Sequence, residues 1–266
     1  ERTGGRMESD LQQGDIKMCG KPKRTLIKIC GLTTGKDVEY ANTFLPDFAG
    51  FVLFFPKSKR NLEISEAAKL KEKLDSRVKS VAVTVSPTVE QVGMIQKAGF
   101  DYIQIHGSLD PEVYEAVRLP VLRAFNVSDM DAFGEMSRLD KIAGYIFDSK
   151  NPGSGETFDW SLMDQIPRDG RLLFLAGGIH EGNVREAIAR VGPDGIDVSS
   201  AVEYEEPDSG GVNGGQSRHP GSGADSGRGR DPDESGRCAG EEKKIIKARG
   251  KDPEKMKKII RMVHDE

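Results

Sequence analysis

Short apolar runs rich in valine, isoleucine and phenylalanine alternate along the chain with segments of helical periodicity. Such a run indicates a buried strand, and the longer apolar period indicates an amphipathic helix. Strands are predicted at 26–30, 48–54, 79–85, 101–106, 120–125, 143–148, 172–176 and 195–199. Helices are predicted between them at 36–45, 65–74, 88–98, 111–118, 129–137, 159–165 and 181–190, and a last one at 253–263. This alternation of strands and helices favours a single closed (β/α)8 barrel, the TIM-barrel fold of the α/β class, over an open sheet.

Two polar regions interrupt the alternation. Residues 1–24 are predicted to form a flexible amino-terminal arm. Residues 208–249 consist mostly of glycine, serine, arginine and acidic residues, with Val212, Ile245 and Ile246 as the only large aliphatic residues. Such a stretch has too little apolar surface to offset its ordering entropy. We therefore expect a disordered insertion between the eighth strand and the eighth helix, and a catalytic barrel built from 25–207 and 250–266.

Composition and charge limit the kinds of molecule that this chain is expected to bind. A net charge of -4 over 266 residues gives no basic excess for binding nucleic acid. The three cysteines, Cys19, Cys30 and Cys238, are widely spaced and suggest neither a disulfide framework nor a zinc site. The first 25 residues lack the apolar stretch of a signal peptide, and no later run has the length of a membrane span. We expect a cytoplasmic protein with a small-molecule ligand and no nucleic-acid or membrane partner.

Polar residues at the carboxyl ends of the strands are the candidates for chemistry, because active sites of such barrels lie there. The candidates are Cys30, His106, Asp148, Gly177, Gly178, Ser199 and Ser200. Each also has an ordinary structural interpretation: a buried thiol, a packed histidine, a capping aspartate or a tight turn.

Alternation along a strand gives two further expectations. Lys28 should face the barrel interior if Cys30 does. It should then pair with Asp197, because the first and eighth strands are neighbours in a closed barrel and a buried lysine needs a partner.

The loops after the seventh and eighth strands indicate a phosphate site. Ala-Gly-Gly-Ile at 176–179 precedes a predicted helix, and Asp-Val-Ser-Ser at 197–200 ends the last strand. These two loops form the common phosphate site of this architecture, in which backbone N–H groups meet the anion. We therefore expect a phosphorylated small substrate, with phosphate bound around Gly177, Gly178, Ser199 and Ser200.

Several motifs, taken in order, resemble the phosphoribosylanthranilate isomerase family of tryptophan biosynthesis. They are KICGLT at 28–33, GFVLFFPKSKR at 50–60, VAVTV at 81–85, IQIHG at 103–107, FDS at 147–149 with GSGETFDW at 153–160, LAGGI at 175–179 and DVSSAVE at 197–203. Together they cover almost the whole barrel, which makes them far more specific than any one motif.

The resemblance implies an Amadori rearrangement of an anthranilate-linked aminoaldose to an aminoketose. It assigns Asp148 as general acid and Cys30 as general base. Arg60 would bind the anthranilate carboxylate, although it could also be an exposed loop charge. Gln104, His106 and Lys28 complete the implied substrate-binding set, and no metal or organic cofactor is implied. Asp148 must then be held partly protonated, whereas Cys30 must be biased toward thiolate by positive charge such as that of Lys28.

The chain departs from the family pattern at two places. Ala201 stands where the family usually has glycine, and its methyl group would crowd the backbone if the site needs a positive φ. The glycine-rich loop at 151–155 looks short.

Two other functions stay open on the residues alone. One is a related sugar-phosphate isomerase of histidine biosynthesis, which usually employs paired aspartates and two phosphate sites; Cys30 and Arg60 argue against it. The other is a non-catalytic barrel that binds a partner through its insertion, against which the presence of both Cys30 and Asp148 argues.

Overall fold

The computed structural model describes residues 24–126, 133, 138–149, 158–204 and 250–265. The strands are β1 (Leu26–Cys30), β2 (Phe48–Leu53), β3 (Asn61–Leu62), β4 (Lys79–Val85), β5 (Tyr102–His106), β6 (Val121–Asn126), β7 (Ile142–Asp148), β8 (Leu172–Leu175) and β9 (Gly195–Val198). The α-helices are α1 (Gly35–Phe44), α2 (Ile64–Lys71), α3 (Val89–Lys97), α4 (Pro111–Ala116), α5 (Val184–Val191) and α6 (Pro253–His264). Short 3-10 helices lie at Trp160–Gln165 and Ser200–Val202.

The sheet closes on itself. Every strand pairing is parallel, and β1 forms hydrogen bonds with both β2 and β9. Eight strands therefore make a barrel, with the short β3 added beside β2. This confirms the predicted (β/α)8 barrel, and all carboxyl ends of the barrel strands lie at one rim.

Two apolar layers follow from the alternation of side chains along the strands. One fills the barrel interior and includes Phe48, Leu122, Ile146 and Phe174. The other lies between the strands and the helices, where Ile27 and other outward-facing residues pack. Cys30 packs against the interior layer, so β1 has the predicted orientation.

The chain leaving β1 is held by local hydrogen bonds. Thr34 caps α1 by accepting from the Asp37 amide, at 3.1 Å, and the Asp37 carboxylate accepts in return from the Thr34 amide, at 3.0 Å. This reciprocal arrangement satisfies two amides that a helix start leaves unpaired. The loop directly after Cys30 is therefore fixed.

Some predicted elements differ from the observed ones. The segment predicted as a helix at 159–165 is a 3-10 helix, and β3 was not predicted, because two paired residues leave no periodicity to detect. The helix predicted at 129–137 lies outside the described residues apart from the helical residue 133, as do the loop at 151–155, the arm up to 23 and the insertion at 208–249.

Residues on either side of the 205–249 segment lie side by side. Glu203 and Lys251 form an antiparallel bridge, and the Asp252 amide donates to the Val202 carbonyl at 2.8 Å. The predicted last helix is present as α6 and buries Met256, Ile259, Ile260 and Val263. Among the helices described, none is both long and apolar enough to cross a membrane.

Candidate active site

A cavity of about 420 Å³ opens at the carboxyl rim of the barrel. Its walls include nearly every residue that the sequence singled out, namely Cys30, Arg60, Gln104, His106, Asp148, Gly177, Gly178, Ser199 and Ser200. Lys28 is the exception, because it is fully buried below the cavity. The barrel therefore gathers the predicted site residues from β1, β5, β7, β8, β9 and the loop after β2.

Lys28 pairs with Asp197 as predicted. Its ammonium lies 3.0 Å from each carboxylate oxygen, and the two residues are register partners on β1 and β9. Gly50 on β2 makes room for this arrangement, because a Cβ there would lie only 3.1 Å from the Cys30 sulfur and 3.2 Å from the Lys28 nitrogen. Cys30 and the Lys28–Asp197 ion pair are therefore closely packed beside Gly50.

The protonation of Cys30 differs from the expectation. Burial raises the pKa of the Cys30 thiol, and the nearby carboxylate of Asp197 raises it further. Lys28 and Lys251 oppose these effects without overcoming them, so the pKa lies above the ordinary thiol value. The expected bias toward thiolate is therefore wrong, because desolvation outweighs the positive charges.

Asp148 lies in an environment suited to a proton donor. Burial and the negative charge of Asp197 raise the pKa of Asp148 to about 6, although the Ser149 amide donates to one of its oxygens at 2.7 Å. A carboxyl group with this pKa is partly protonated near neutral pH. The aspartate can therefore give a proton to a bound oxygen atom.

Gly177 allows the loop after β8 to approach Asp148 closely. Its φ is +77°, and a Cβ at this position would overlap the Ser149 amide nitrogen and lie 2.9 Å from a carboxylate oxygen of Asp148. Any side chain here would have to displace the carboxylate or the strand end. The glycine is thus required by close packing as well as by its backbone angle.

Gln104 and His106 form a polar pair on β5. The Gln104 amide nitrogen lies 2.7 Å from the Nε2 atom of His106, and burial, followed by the charges of Lys28 and Arg123, lowers the pKa of His106 to about 4. The imidazole is therefore neutral at physiological pH. The amide oxygen of Gln104 is buried without a hydrogen-bond partner among the described residues, which leaves it available to a ligand.

Arg60 forms an ion pair with Glu203, a residue that the sequence did not single out. Its Nε and Nη2 atoms donate to the two carboxylate oxygens of Glu203, at 2.5 and 3.1 Å. Although burial alone would raise it, the pKa of Glu203 is lowered to about 2 by Arg60, Lys251 and Lys59. Arg60 is not the exposed loop charge considered above, because its side chain is only 12% exposed.

The two candidate phosphate loops meet at one side of the cavity. Gly177 and Gly178 have φ values of +77° and +64°, and the Asn183 side chain donates to the Gly178 carbonyl at 2.9 Å. The Ser199 hydroxyl donates to the Cys30 carbonyl at 3.0 Å. Ala201 belongs to a 3-10 helix and is not among the described residues with positive φ, so its methyl group meets no backbone restriction of the kind considered above.

No group of three or more histidine, cysteine, aspartate or glutamate side chains gathers to hold a metal ion within the described ranges. The polar groups of the cavity include the Cys30 thiol, the carboxyl groups of Asp148 and Asp197, the neutral imidazole of His106, the amides of Gln104 and Asn126, the Arg60 guanidinium and two small loops. These suit proton transfer on an anionic molecule.

Fold and site together define a (β/α)8-barrel protein with an acid–base cavity at the carboxyl rim. The family model of N-(5'-phosphoribosyl)anthranilate (PRA) isomerase matches residues 27–206. An N-(5'-phosphoribosyl)anthranilate isomerase from Streptococcus gordonii is 39% identical over 183 residues, covering 68% of this chain and 90% of the relative. The chain belongs to the N-(5'-phosphoribosyl)anthranilate isomerase family, and it is an isomerase.

Solved structures of phosphoribosyl anthranilate isomerases superpose on this chain. Phosphoribosyl anthranilate isomerase from Thermus thermophilus superposes with a TM-score of 0.61 at 31% identity, covering 68% of this chain and 90% of that one. A phosphoribosyl anthranilate isomerase in complex with reduced 1-(o-carboxyphenylamino)-1-deoxyribulose 5-phosphate superposes with a TM-score of 0.62 at 26% identity, covering 89% of this chain and 97% of that one.

Two residues that contact side chains or loops of the cavity, Glu203 and Lys251, were not singled out by the sequence. Glu203 stands at the end of the DVSSAVE motif, so its proximity to the eighth strand was the only signal that could have found it. Lys251 follows the 205–249 segment, and no spacing along the chain places it beside Ser199. Contacts across so long a separation require the folded structure.

Proposed function

We propose that this chain converts N-(5'-phosphoribosyl)anthranilate into 1-(2-carboxyphenylamino)-1-deoxyribulose 5-phosphate in tryptophan biosynthesis, with Asp148 as general acid and Cys30 as general base. The observation that carries the assignment of roles is that both side chains line one cavity from separate strands of the barrel, β7 and β1. The proposed reaction itself follows from membership of the isomerase family.

Ring opening and enolisation together need one proton delivered and one removed. Asp148 donates a proton to the furanose ring oxygen, the bond from that oxygen to the first sugar carbon breaks, and the nitrogen lone pair forms an imine bond. A base then takes the proton from the second sugar carbon, and the electron pair of that bond forms an enolamine. Protonation at the first carbon, with loss of the hydroxyl proton on the second carbon, gives the ketone, so two protons are delivered, two are removed and no atom is gained or lost overall.

Cys30 must lose its proton before it can act as base. Burial raises its pKa and so favours the thiol, whereas the neighbouring Lys28 and Lys251 favour its thiolate. A cationic imine on the substrate would add positive charge next to the thiol. The thiolate of the reactive form, in which Asp148 holds the single proton, is therefore stabilised further once ring opening has occurred.

Different parts of the cavity would recognise different parts of the substrate. Gly177, Gly178, Ser199 and Ser200 would bind the phosphate through backbone N–H groups. An apolar wall of Val52, Phe55, Val83 and Val85 suits the aromatic ring. Arg60 lines the same cavity and would meet the carboxylate of that ring, while Gln104 and His106 would bind sugar hydroxyl groups through the unpartnered amide oxygen and the imidazole.

The test is conversion of the anthranilate-linked sugar phosphate by the purified full chain. Fluorescence should change as substrate disappears, and the product should have the mass of the substrate with a new ketone carbon in its NMR spectrum. A chain that leaves this substrate unchanged, or that yields free anthranilate, would contradict the proposed function.

A further inference from the structure

Lys251 brings a second buried cation to the active site from the far side of the 205–249 segment. Its side chain is fully buried, and its ammonium nitrogen lies 3.1 Å from the Ser199 carbonyl oxygen and 3.3 Å from a carboxylate oxygen of Glu203. Ser199 lies in the candidate phosphate loop, and Glu203 is the ion-pair partner of Arg60. One ammonium group therefore contacts both the Ser199 loop and the carboxylate that binds Arg60.

The backbone fixes this position. The Lys251 amide donates to one oxygen of the Asp37 carboxylate at 2.7 Å, while the other oxygen accepts from the Thr33 amide, also at 2.7 Å. Asp37 thereby joins the loop after Cys30 to the point where the chain returns. Its carboxylate is buried, and its hydrogen bonds to amides are of the stronger, charge-assisted kind.

Three cationic side chains converge on the single carboxylate of Glu203. They are Arg60, Lys251 and Lys59, the last at 3.3 Å. Within the described part of the chain, Arg60 and Lys251 form no salt bridge with any other carboxylate. The cluster therefore keeps an excess of positive charge beside the cavity, which suits an anionic ligand.

The hydrogen bonds of Arg60 to Glu203 use only one edge of its guanidinium group. Glu203 occupies the Nε and Nη2 side of the guanidinium, and Nη1 has no hydrogen-bond partner in the ranges that the structure covers. A planar guanidinium can bind one carboxylate along this edge and a second along the Nη1 and Nη2 edge. Glu203 therefore sets the guanidinium plane while leaving an edge for a ligand.

We propose that Lys251 is a positioning residue of this site, holding Arg60 through Glu203 for the substrate carboxylate and holding the Ser199 loop for the phosphate. This role rests on the proposed function. It makes the residues just before α6 a functional part of the site, because Lys251 contacts both the Ser199 loop and Glu203, the partner of Arg60.

Lys251→Met tests this role, since methionine is a similarly long side chain that can stay buried without charge. Lys141→Met is the matched control: Lys141 also donates to backbone carbonyls, of Tyr114 and Glu115, but it lies at the opposite end of β7 from Asp148. Binding of anthranilate and of inorganic phosphate to the full chain is measured separately by calorimetry, alongside steady-state kinetics.

Lys251→Met should weaken binding of both probes by about tenfold or more, the scale of a lost charge-assisted hydrogen bond. KM should rise to a similar degree while kcat changes much less, and Lys141→Met should leave all four quantities near those of the wild type. Wild-type affinity for both probes in folded Lys251→Met, or a fall in kcat with unchanged KM, would overturn the positioning role.

Glu203→Gln provides a second variant in case Lys251→Met does not fold. It should weaken anthranilate binding and leave phosphate binding near the wild-type level, because Lys251 would still hold Ser199. Unchanged or tighter anthranilate binding in this variant would contradict the proposal. The probes do not require turnover, so absence of isomerisation by the wild type would count against the proposed function and not against this role.

Discussion

The Lys28 ammonium lies 3.0 Å from both carboxylate oxygens of Asp197, in the interior of the barrel. Lys28 is wholly inaccessible to solvent and the Asp197 side chain is 7% exposed, so each charge depends on the other. Asp197 also raises the pKa of Asp148 and of Cys30. This ion pair therefore links the stability of the barrel to the protonation of both proposed catalytic groups.

Asp197→Asn should lower the free energy of unfolding by roughly 3 kcal/mol or more, because it leaves the buried Lys28 without its counter-ion. Chemical denaturation measures this change. Asp164→Asn is the control, since Asp164 pairs with Arg190 on the surface, with side-chain exposures of 60% and 45%, and should change stability little. Equal stability of the two variants would show that Lys28 finds another way to satisfy its charge.

The pH dependence of kcat/KM should report the Asp148 and Cys30 pair. The pKa of Asp148 is about 6 and that of Cys30 lies above the ordinary thiol value. Between the two the pair holds one proton, so kcat/KM should be flat, with thiolate and carboxylic acid as the reactive minor form. Below the pKa of Asp148 the pair gains a second proton, and kcat/KM should fall about tenfold per pH unit.

Asp148→Asn should remove this acidic limb. Only the thiol would then titrate, so the residual activity should rise with pH across the whole interval in which the wild type is flat. An unchanged limb near pH 6 in this variant would assign the titration to another group.

The sequence could predict what strand order and alternation determine. Cys30, Asp148 and the glycines were placed at the rim because strands of a parallel barrel end together, and the Lys28 pair followed from strand neighbours and side-chain parity. The partners of Arg60 were not predictable, because Lys251 reaches Glu203 only through the folded chain. The direction of the Cys30 pKa was predicted wrongly, since desolvation depends on burial that the sequence does not display.

Gly177→Ala should reduce activity more than its backbone strain alone explains. Gly192→Ala is the matched control: Gly192 also has a positive φ, of +57°, but a Cβ there meets nothing within 4 Å. Both variants should lose about 1 kcal/mol of stability from the left-handed conformation. Only Gly177→Ala should lose turnover, because its methyl group displaces Asp148 or Ser149, and equal turnover in the two variants would refute the packing requirement.

Asp47 should make stability depend on pH. Its carboxylate accepts from Arg24, from the Ile27 amide at 2.9 Å and from His264 at 3.1 Å. Against the effect of burial, these contacts lower the pKa of Asp47 to about 2. A lowered pKa contributes stability above the unfolded value of about 3.9, and this contribution is lost as pH falls through the folded value.

Asp47→Asn should therefore reduce the free energy of unfolding by about 2 kcal/mol at neutral pH. The difference from the wild type should shrink below about pH 4 and be nearly absent by about pH 2. Denaturant titrations of both proteins at several pH values measure it. A difference that is the same at every pH would show that the contacts act without regard to the charge of Asp47.

The most direct test of the proposed mechanism is the single-turnover rate of Cys30→Ala and of Asp148→Asn on N-(5'-phosphoribosyl)anthranilate, followed by fluorescence beside the wild-type chain. Each variant should be slower by at least about two orders of magnitude, the scale for loss of a positioned acid or base. Substrate affinity should change much less. Turnover near the wild-type rate in either variant would contradict the assignment of that residue to proton transfer.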